Sequence, residues 1–429
     1  MAEKRQIQVH LVTRDENLKV PESAFYVPVT LRRYGLSEIV NQLLDRGEDA
    51  KPIPFDFLID GELLKRDLDD YLTSKGLSTE TTLTIEYTRS ILPPSFLASF
   101  AHEDWVSAVE VSRGRNSPIA SGSYDGIVRL WNKSGEVTDQ LVGHNGAVKA
   151  VGWIDGQKRL VSAGADRNLC LWKTDDKKNT ITALLTGHTA SVDDVAVRGT
   201  NVVSASADKT LKVWSSDYKK LPEVGEEDEL RSTASKKRRK LASAQLPSAR
   251  KRTALATLSG HTSPVTGVHF HPDDDNVVYS CSQDHTVRTW DLATGAQVQS
   301  RTTTFPLLSI TTLNEKGLIA VGSSARHITL IDPRDKYTNQ STQLFGHSNF
   351  VVSLAPSPEN SYMLLSGSHD GTSRIWDIRA NKSIYSISRN SGESPTSVYD
   401  VDWQSDVGIV SVGKDKKLQI NEAGFAKAS

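Results

Sequence analysis

Ile119-Ala120-Ser121-Gly122-Ser123-Tyr124-Asp125-Gly126-Ile127-Val128-Arg129-Leu130-Trp131 reads as short alternating strands joined by a turn at the Asp. The pattern returns down the chain, each time with a His upstream. Five units align: His102, Asp125 and Trp131; His144, Asp166 and Trp172; His188, Asp208 and Trp214; His261, Asp284 and Trp290; His347, Asp370 and Trp376. In all five the Asp precedes the Trp by six residues and follows the His by 20 to 23. A Ser stands four residues before each Asp, at Ser121, Ser162, Ser204, Ser280 and Ser366. Self-similarity of this kind marks a repeat architecture.

Two degenerate units bring the count to seven. In Ser323–Asp332, Ala325 takes the Asp place and Ile331 the Trp place. The last unit holds Ser411, Asp415 and Asn421, with Asn in the Trp place. A further strand precedes each Gly-His, as in Gln140-Leu141-Val142 and Gln343-Leu344-Phe345. Four-strand units marked by Gly-His and Trp-Asp read as propeller blades. Over residues 95–421 the chain resembles the WD-repeat family, with repeats near 101–138, 143–180, 187–215, 260–299, 302–339, 346–385 and 394–421. The seventh unit ends near Ile420 without an outer strand, whereas Phe96–Phe100 has the pattern of one. Pairing of that segment onto blade seven would close the ring and remove an exposed edge.

A His, Ser and Asp in each unit also invite a nucleophilic triad. Five copies of one active site would be redundant, whereas a propeller needs the same buried strut in each blade. The expected roles are therefore structural, and no catalytic residue is assigned. The sequence has no P-loop, dinucleotide Gly fingerprint, nucleophile elbow or His/Cys metal cluster outside the struts, so no cofactor of its own is expected.

Without such motifs the chain is expected to be a non-enzymatic scaffold. Across 429 residues, 51 Lys and Arg meet 52 Asp and Glu. Balanced charge argues against a chain devoted as a whole to nucleic acid. No run is long and apolar enough for a membrane helix, and the start MAEKRQIQVH lacks a signal-peptide core, so no membrane contact is expected. With Cys170 and Cys281 as the only cysteines, a reducing compartment is the simpler reading.

Residues 1–6 read as a tail, and residues 7–89 lack the repeat marks. Strands are predicted at Ile7–Thr13, Ala24–Val29, Phe55–Ile59, Glu62–Leu64 and Thr82–Tyr87. Ser37 is predicted to cap a helix over Glu38–Leu44, and Leu68–Gly76 a short helical turn. The order resembles the ubiquitin superfold, without a terminal Gly-Gly for conjugation. The expected architecture is mainly β: a small α+β ubiquitin-like domain, a Pro-stiffened linker at 90–94, and a seven-bladed propeller over 95–429.

From Trp214 to Gly260 the chain takes 46 residues, against 12 and 15 after Trp131 and Trp172. The insertion, 216–253, is predicted to be disordered. It begins acidic (Glu226-Glu227-Asp228-Glu229) and then carries nine Lys/Arg and no acid from Arg231 to Arg252. The run Lys236-Lys237-Arg238-Arg239-Lys240 reads as a nuclear-localisation signal, with RNA-phosphate contact as a second use.

Four stretches carry a more specific resemblance: Leu31–Gln42 (LRRYGLSEIVNQ), Pro54–Leu64 (PFDFLIDGELL), Ile91–Trp105 (ILPPSFLASFAHEDW) and Ser323–Asp332 (SSARHITLID). They look like the WD-repeat ribosome-biogenesis proteins of the Pescadillo (PeBoW, or Nop-seven) complex, with an NLE-type ubiquitin-like domain. That resemblance implies a nucleolar and nucleoplasmic factor acting on large (60S) subunit precursors and their rRNA. Its implied partners are Pescadillo, the propeller of the block-of-proliferation protein, the pre-60S particle, and the AAA ATPase midasin. It further implies that one acidic side chain of the ubiquitin-like domain completes a Mg²⁺ site on midasin. Matched through Gly76-Leu77-Ser78-Thr79-Glu80, that residue is Glu80, one of sixteen acids in residues 1–92. A cullin-ligase adaptor is the alternative, through the box Trp376-Asp377-Ile378-Arg379, in which only Arg379 adds to the repeat. Arg379 is expected to be a surface residue.

Overall fold

The computed structural model describes residues 5–45, 52–78, 80–114, 117–154, 158–174, 180–224, 249–313, 317–335, 341–379, 383–389 and 395–424. The chain forms two compact units. The first comprises Met1–Ser95 with the short segments Ile378–Asn381 and Ala423–Ser429; the second comprises Phe96–Asp377 and Lys382–Glu422. Among the described residues no helix is long and apolar enough to cross a membrane.

In the first unit, strands β1 (Gln6–Val12), β2 (Phe25–Pro28), β3 (Phe55–Ile59), β4 (Glu62–Leu63) and β5 (Leu83–Arg89) form one sheet in the order β2-β1-β5-β3-β4. The central pair β1/β5 is parallel and its neighbours are antiparallel, as the predicted superfold requires. Helices α1 (Arg33–Leu44) and α2 (Leu68–Lys75) complete the unit. Leu36 and Val40 of α1 and Leu68 and Leu72 of α2 pack with Ile7, Val9, Phe55, Phe57 and Ile85 of the sheet. Asp60-Gly61 turns β3 into β4 with φ of 50° and 79°, the left-handed pair that a tight hairpin needs.

Ser37 does not cap α1. The helix starts a turn earlier, after Arg32, which makes no side-chain cap. Ser37 is buried inside it, where its Oγ donates to the Phe55 carbonyl (3.2 Å) and accepts from the Phe55 N–H (3.1 Å). A hydroxyl facing a strand edge satisfies backbone that a cap would not reach. The predicted linker is also partly absorbed: Ser90 and Ile91 are buried in this unit, and the Ser90 N–H donates to Pro54.

Among the described residues the second unit is built from seven sheets, antiparallel throughout except for one added edge strand in blade two. The innermost strands run side by side from Val106–Val111 round to Val398–Gln404, and the last lies against the first, so the ring is closed. Blade seven takes its outer strand from Ser95–Ala101, as the sequence pattern requires. Every inner strand carries a bulge after its first residue, at Ser107, Lys149, Asp193, Thr266, Leu308, Val352 and Tyr399. Every blade also has a left-handed residue at its central turn: Gly126, Arg167, Lys209, His285, Arg326, Gly371 and Lys416, with φ between 60° and 81°. The two degenerate units keep both features, so backbone geometry identifies them as blades where side chains do not.

The insertion is ordered at both ends, against the expectation for 216–253. Asp217 caps a short turn at Tyr218–Lys220, and Leu221 is buried beneath it. Arg250–Arg252 forms a fifth, parallel strand on the outer edge of blade two, beside Ala183–Leu185. There the buried Arg252 guanidinium donates to the Tyr218 carbonyl (3.1 Å) and pairs with Glu223 (2.8 Å). Lys236–Lys240 and the acidic stretch Glu226–Glu229 lie outside the described residues.

Candidate functional site: blade struts and an exposed acidic loop

Four blades carry the full predicted strut. In blade three, His188 Nδ1 lies 2.8 Å from Asp208 and its Nε2 2.7 Å from Ser204 Oγ, which also accepts from the Trp214 indole at 2.9 Å. His144, Ser162, Asp166 and Trp172 repeat it in blade two. His261, Ser280, Asp284 and Trp290 do so in blade four, and His347, Ser366, Asp370 and Trp376 in blade six. The carboxylates also accept from backbone N–H groups at their own turns. Burial alone would raise the Asp284 carboxyl, but bonds from Thr286, the Thr262 N–H and His261 outweigh it and hold the group down at about 2. Each strut Ser has 0% exposure and its Oγ is shared by an imidazole and an indole. No substrate carbonyl can reach such an oxygen, so the triad-like composition is a structural tie.

Blade one departs from the pattern. His102 and Trp131 both bond Ser121 at 2.8 Å, but Asp125 turns to Arg129 (2.8 Å) rather than to His102. Burial, aided by the Arg129 charge, pushes His102 down to about 4. Asp125 is thus an ion-pair partner, not a member of the His–Ser–Trp chain.

In blade seven the sequence reading missed a residue. Arg389 is fully buried and replaces the His: its guanidinium donates to Asp415 (2.8 and 3.1 Å), Ser411 Oγ (2.9 Å) and the Lys417 carbonyl (2.6 Å). Arginine lacks the repeat's Gly-His signature, and at 26 residues before Asp415 it falls outside the spacing of 20 to 23 seen for the five His, so no local signal marked the role. Four half-buried carboxyls were missed as well. Asp400 and Asp402 of blade seven accept the N–H groups of Val109 and Val111 of blade one, each at 2.8 Å. Glu110 accepts the Trp153 N–H of blade two, and Asp194 the Val268 N–H of blade four. These bonds stitch neighbouring inner strands together. Burial pushes Glu110 up to about 8 and Asp400 up to about 7. Cys170 and Cys281 are both free and buried.

Glu80 lies in the short connection between α2 and β5. Gly76, in the left-handed region at φ 65°, ends α2. The loop then turns on Ser78: its Oγ accepts the Glu80 N–H (3.2 Å) and its carbonyl accepts the Thr81 hydroxyl (2.8 Å). Glu80 is exposed, and among the described residues its carboxylate has no hydrogen-bond or ion-pair partner. One carboxylate presented in this way can offer a hard oxygen ligand to a cation held elsewhere. Among the described residues no group of His, Cys, Asp and Glu could itself hold a metal ion. Arg379, expected at the surface, is only 9% exposed; it belongs to the first unit, where its guanidinium pairs with Glu86 at 2.9 Å.

Together these features define a WD-repeat propeller protein with a ubiquitin-like N-terminal module. Residues 7–72 match the NLE (NUC135) domain, and 94–132, 135–173, 179–215, 252–291 and 338–377 match the WD domain, G-beta repeat. The unmatched blades are the degenerate fifth and seventh. The chain is 49% identical to the ribosome biogenesis protein YTM1 of Candida albicans, over 98% of this chain and 97% of that one. It is 49% identical to that of Kluyveromyces lactis, over 98% of each, and 48% identical to that of Vanderwaltozyma polyspora, over 97% of each. The chain belongs to the YTM1 family of ribosome biogenesis proteins.

Proposed function

We propose that the chain is a non-enzymatic assembly factor of the large (60S) ribosomal subunit, a scaffold of a Pescadillo-type complex with no cofactor of its own. The propeller serves as a rigid platform for the propeller of the block-of-proliferation protein and, through it, for Pescadillo and the pre-60S particle. The ubiquitin-like unit serves as a handle for a midasin-type AAA ATPase, which releases the factor when maturation of the large-subunit rRNAs has advanced. The protein works in the nucleus, in nucleolus and nucleoplasm, and Lys236–Lys240 direct its import and can also meet rRNA phosphates.

The observation that carries this reading is the Glu80 carboxylate, exposed and unpaired among the described residues on a turn fixed by Ser78. Full-length similarity to ribosome biogenesis proteins supports the setting. Glu80 would supply one oxygen to a Mg²⁺ held by the partner, taking the place of a water. Glu80→Ala should abolish Mg²⁺-dependent capture of midasin's adhesion domain while leaving propeller partners bound. Undiminished capture by that variant would refute the handle. Purification of the tagged chain from nuclear extract tests the rest, and recovery of a cullin and its adaptor in place of Pescadillo would overturn it.

A further inference from the structure

The propeller has a position on one rim where side chains are free of structural duty. In every blade the residue before the inner strand accepts, through its carbonyl, an N–H from the central turn. The pairs are Tyr124 to Trp105, Ala165 to Ala147, Ala207 to Ser191, Gln283 to Pro264, Ser324 to Pro306, His369 to Phe350 and Lys414 to Ser397, at 2.8–3.1 Å. Only backbone is used, so the fold sets no demand on side-chain type here. Blades two to five carry only Ala, Ser, Pro and Gln at these positions. Blade six instead carries Phe350 and His369, blade one Trp105 and Tyr124, and blade seven Lys414.

In that sector four rings and an imidazole form a continuous run. Phe350 lies 6.1 Å from His369, His369 5.6 Å from Tyr399, and Tyr399 6.3 Å from both Tyr124 and Trp105. Tyr399 is blade seven's bulge residue, aimed by the bulge out of the strand pairing. None of these five side chains is buried, and Phe350 is 43% exposed. Partial burial lowers His369, favouring its neutral imidazole. Two ammonium groups stand over the run: Lys149 Nζ is 4.4 Å from the Tyr124 ring centre and donates to its hydroxyl (2.8 Å), and Lys414 Nζ is 5.3 Å from the Trp105 ring. The bulge residue Asp193 bounds the sector beyond Lys149.

We infer that this aromatic sector is a docking site for an extended acidic peptide of a partner protein, whose carboxylates pair with Lys149 and Lys414 and whose apolar side chains lie on Tyr399 and Phe350. Rings supply apolar contact area at low entropic cost, and the lysines supply the charge complement. Single-stranded RNA fits less well: base stacking needs open ring faces, and each of Tyr124 and Trp105 has a lysine over its face.

The test uses the full chain and fluorescence anisotropy with three labelled probes: a peptide of repeating Glu-Asp-Leu-Phe, its counterpart of repeating Lys-Arg-Leu-Phe, and oligouridylate. The acidic peptide should bind, weakening as salt rises. Lys149→Glu with Lys414→Glu should weaken it about tenfold, the loss of two exposed ion pairs. Phe350→Ala should weaken it without altering the salt dependence, and urea unfolding of each variant checks that the ring is intact. No binding of the acidic peptide, equal binding of the basic one, unchanged affinity in the double charge reversal, or a preference for oligouridylate would each overturn the site.

Discussion

Arg389→Met is the sharpest probe of how the degenerate seventh blade is held. In the native chain the guanidinium is fully buried and donates to both oxygens of Asp415, to Ser411 Oγ and to the Lys417 carbonyl. Methionine restores most of the stem volume and removes every donor. The Asp415 side chain, only 7% exposed, then keeps a single weak bond from the Lys417 N–H at 3.3 Å. Breaking one side of a buried ion pair costs about 3–5 kcal/mol, because the abandoned charge cannot regain its hydration. With a denaturant slope of about 3 kcal/mol/M, the urea midpoint should fall by about 1–1.7 M. Asp415→Ala should cost a similar amount, since it strands the guanidinium. The double variant should cost clearly less than the sum, by at least about 2 kcal/mol, because neither charge remains. Urea titrations followed by tryptophan fluorescence measure all three. A loss below about 1 kcal/mol for Arg389→Met, or additive costs in the double variant, would show that the pair does not hold the blade.

Other expectations follow from the same network. Ser280→Ala leaves the His261 Nε2 and the Trp290 indole N–H unpaired in a dry site and should cost about 2–4 kcal/mol by urea unfolding. Burial raises Glu110 to about 8 and Asp400 to about 7, so between the unfolded values near 4.5 and 3.8 and these the folded state binds more protons; stability should fall as pH rises from about 5 to 8, and Glu110→Gln should flatten that slope in thermal melts. The strut acids act oppositely: Asp284, held at about 2, contributes stability that is present above its unfolded value of 3.8 and lost as pH falls towards 2, which places the optimum near pH 5. Replacing Lys236–Lys240 by Ala should exclude a fluorescent fusion from the nucleus. Deletion of 231–248 should reduce salt-dependent RNA affinity without unfolding, whereas extending the cut through the buried Arg252 should destabilise blade two.

The repeats, the closing strand and the order of elements in the N-terminal unit were legible in the sequence because each rests on local pattern. Strands alternate, the Asp–Trp spacing is fixed by one turn and one strand, and the free outer-strand segment Phe96–Phe100 matched the one blade without its own. The ubiquitin-like order was readable for the same reason. The role proposed for Glu80 rests on resemblance alone, since an exposed acid among many has no local signature.

Tertiary structure decided what depends on residues far apart in the chain. Ser37 looks like a cap until β3 is placed beside it, and Arg389 looks like a surface charge until blade seven closes over it. Asp125 fits the strut motif by spacing, yet Arg129 lies nearer in charge and geometry and takes it. Arg250–Arg252 reads as the tail of a charged loop, but blade two offers an open strand edge whose backbone groups need partners. The carboxyls that bridge neighbouring blades, and the aromatic sector shared by blades six, seven and one, exist only once the ring has closed. Sequence fixes which surfaces each strand can bury; which distant polar group completes each buried bond is settled by the fold, because desolvation penalises every alternative left unpaired.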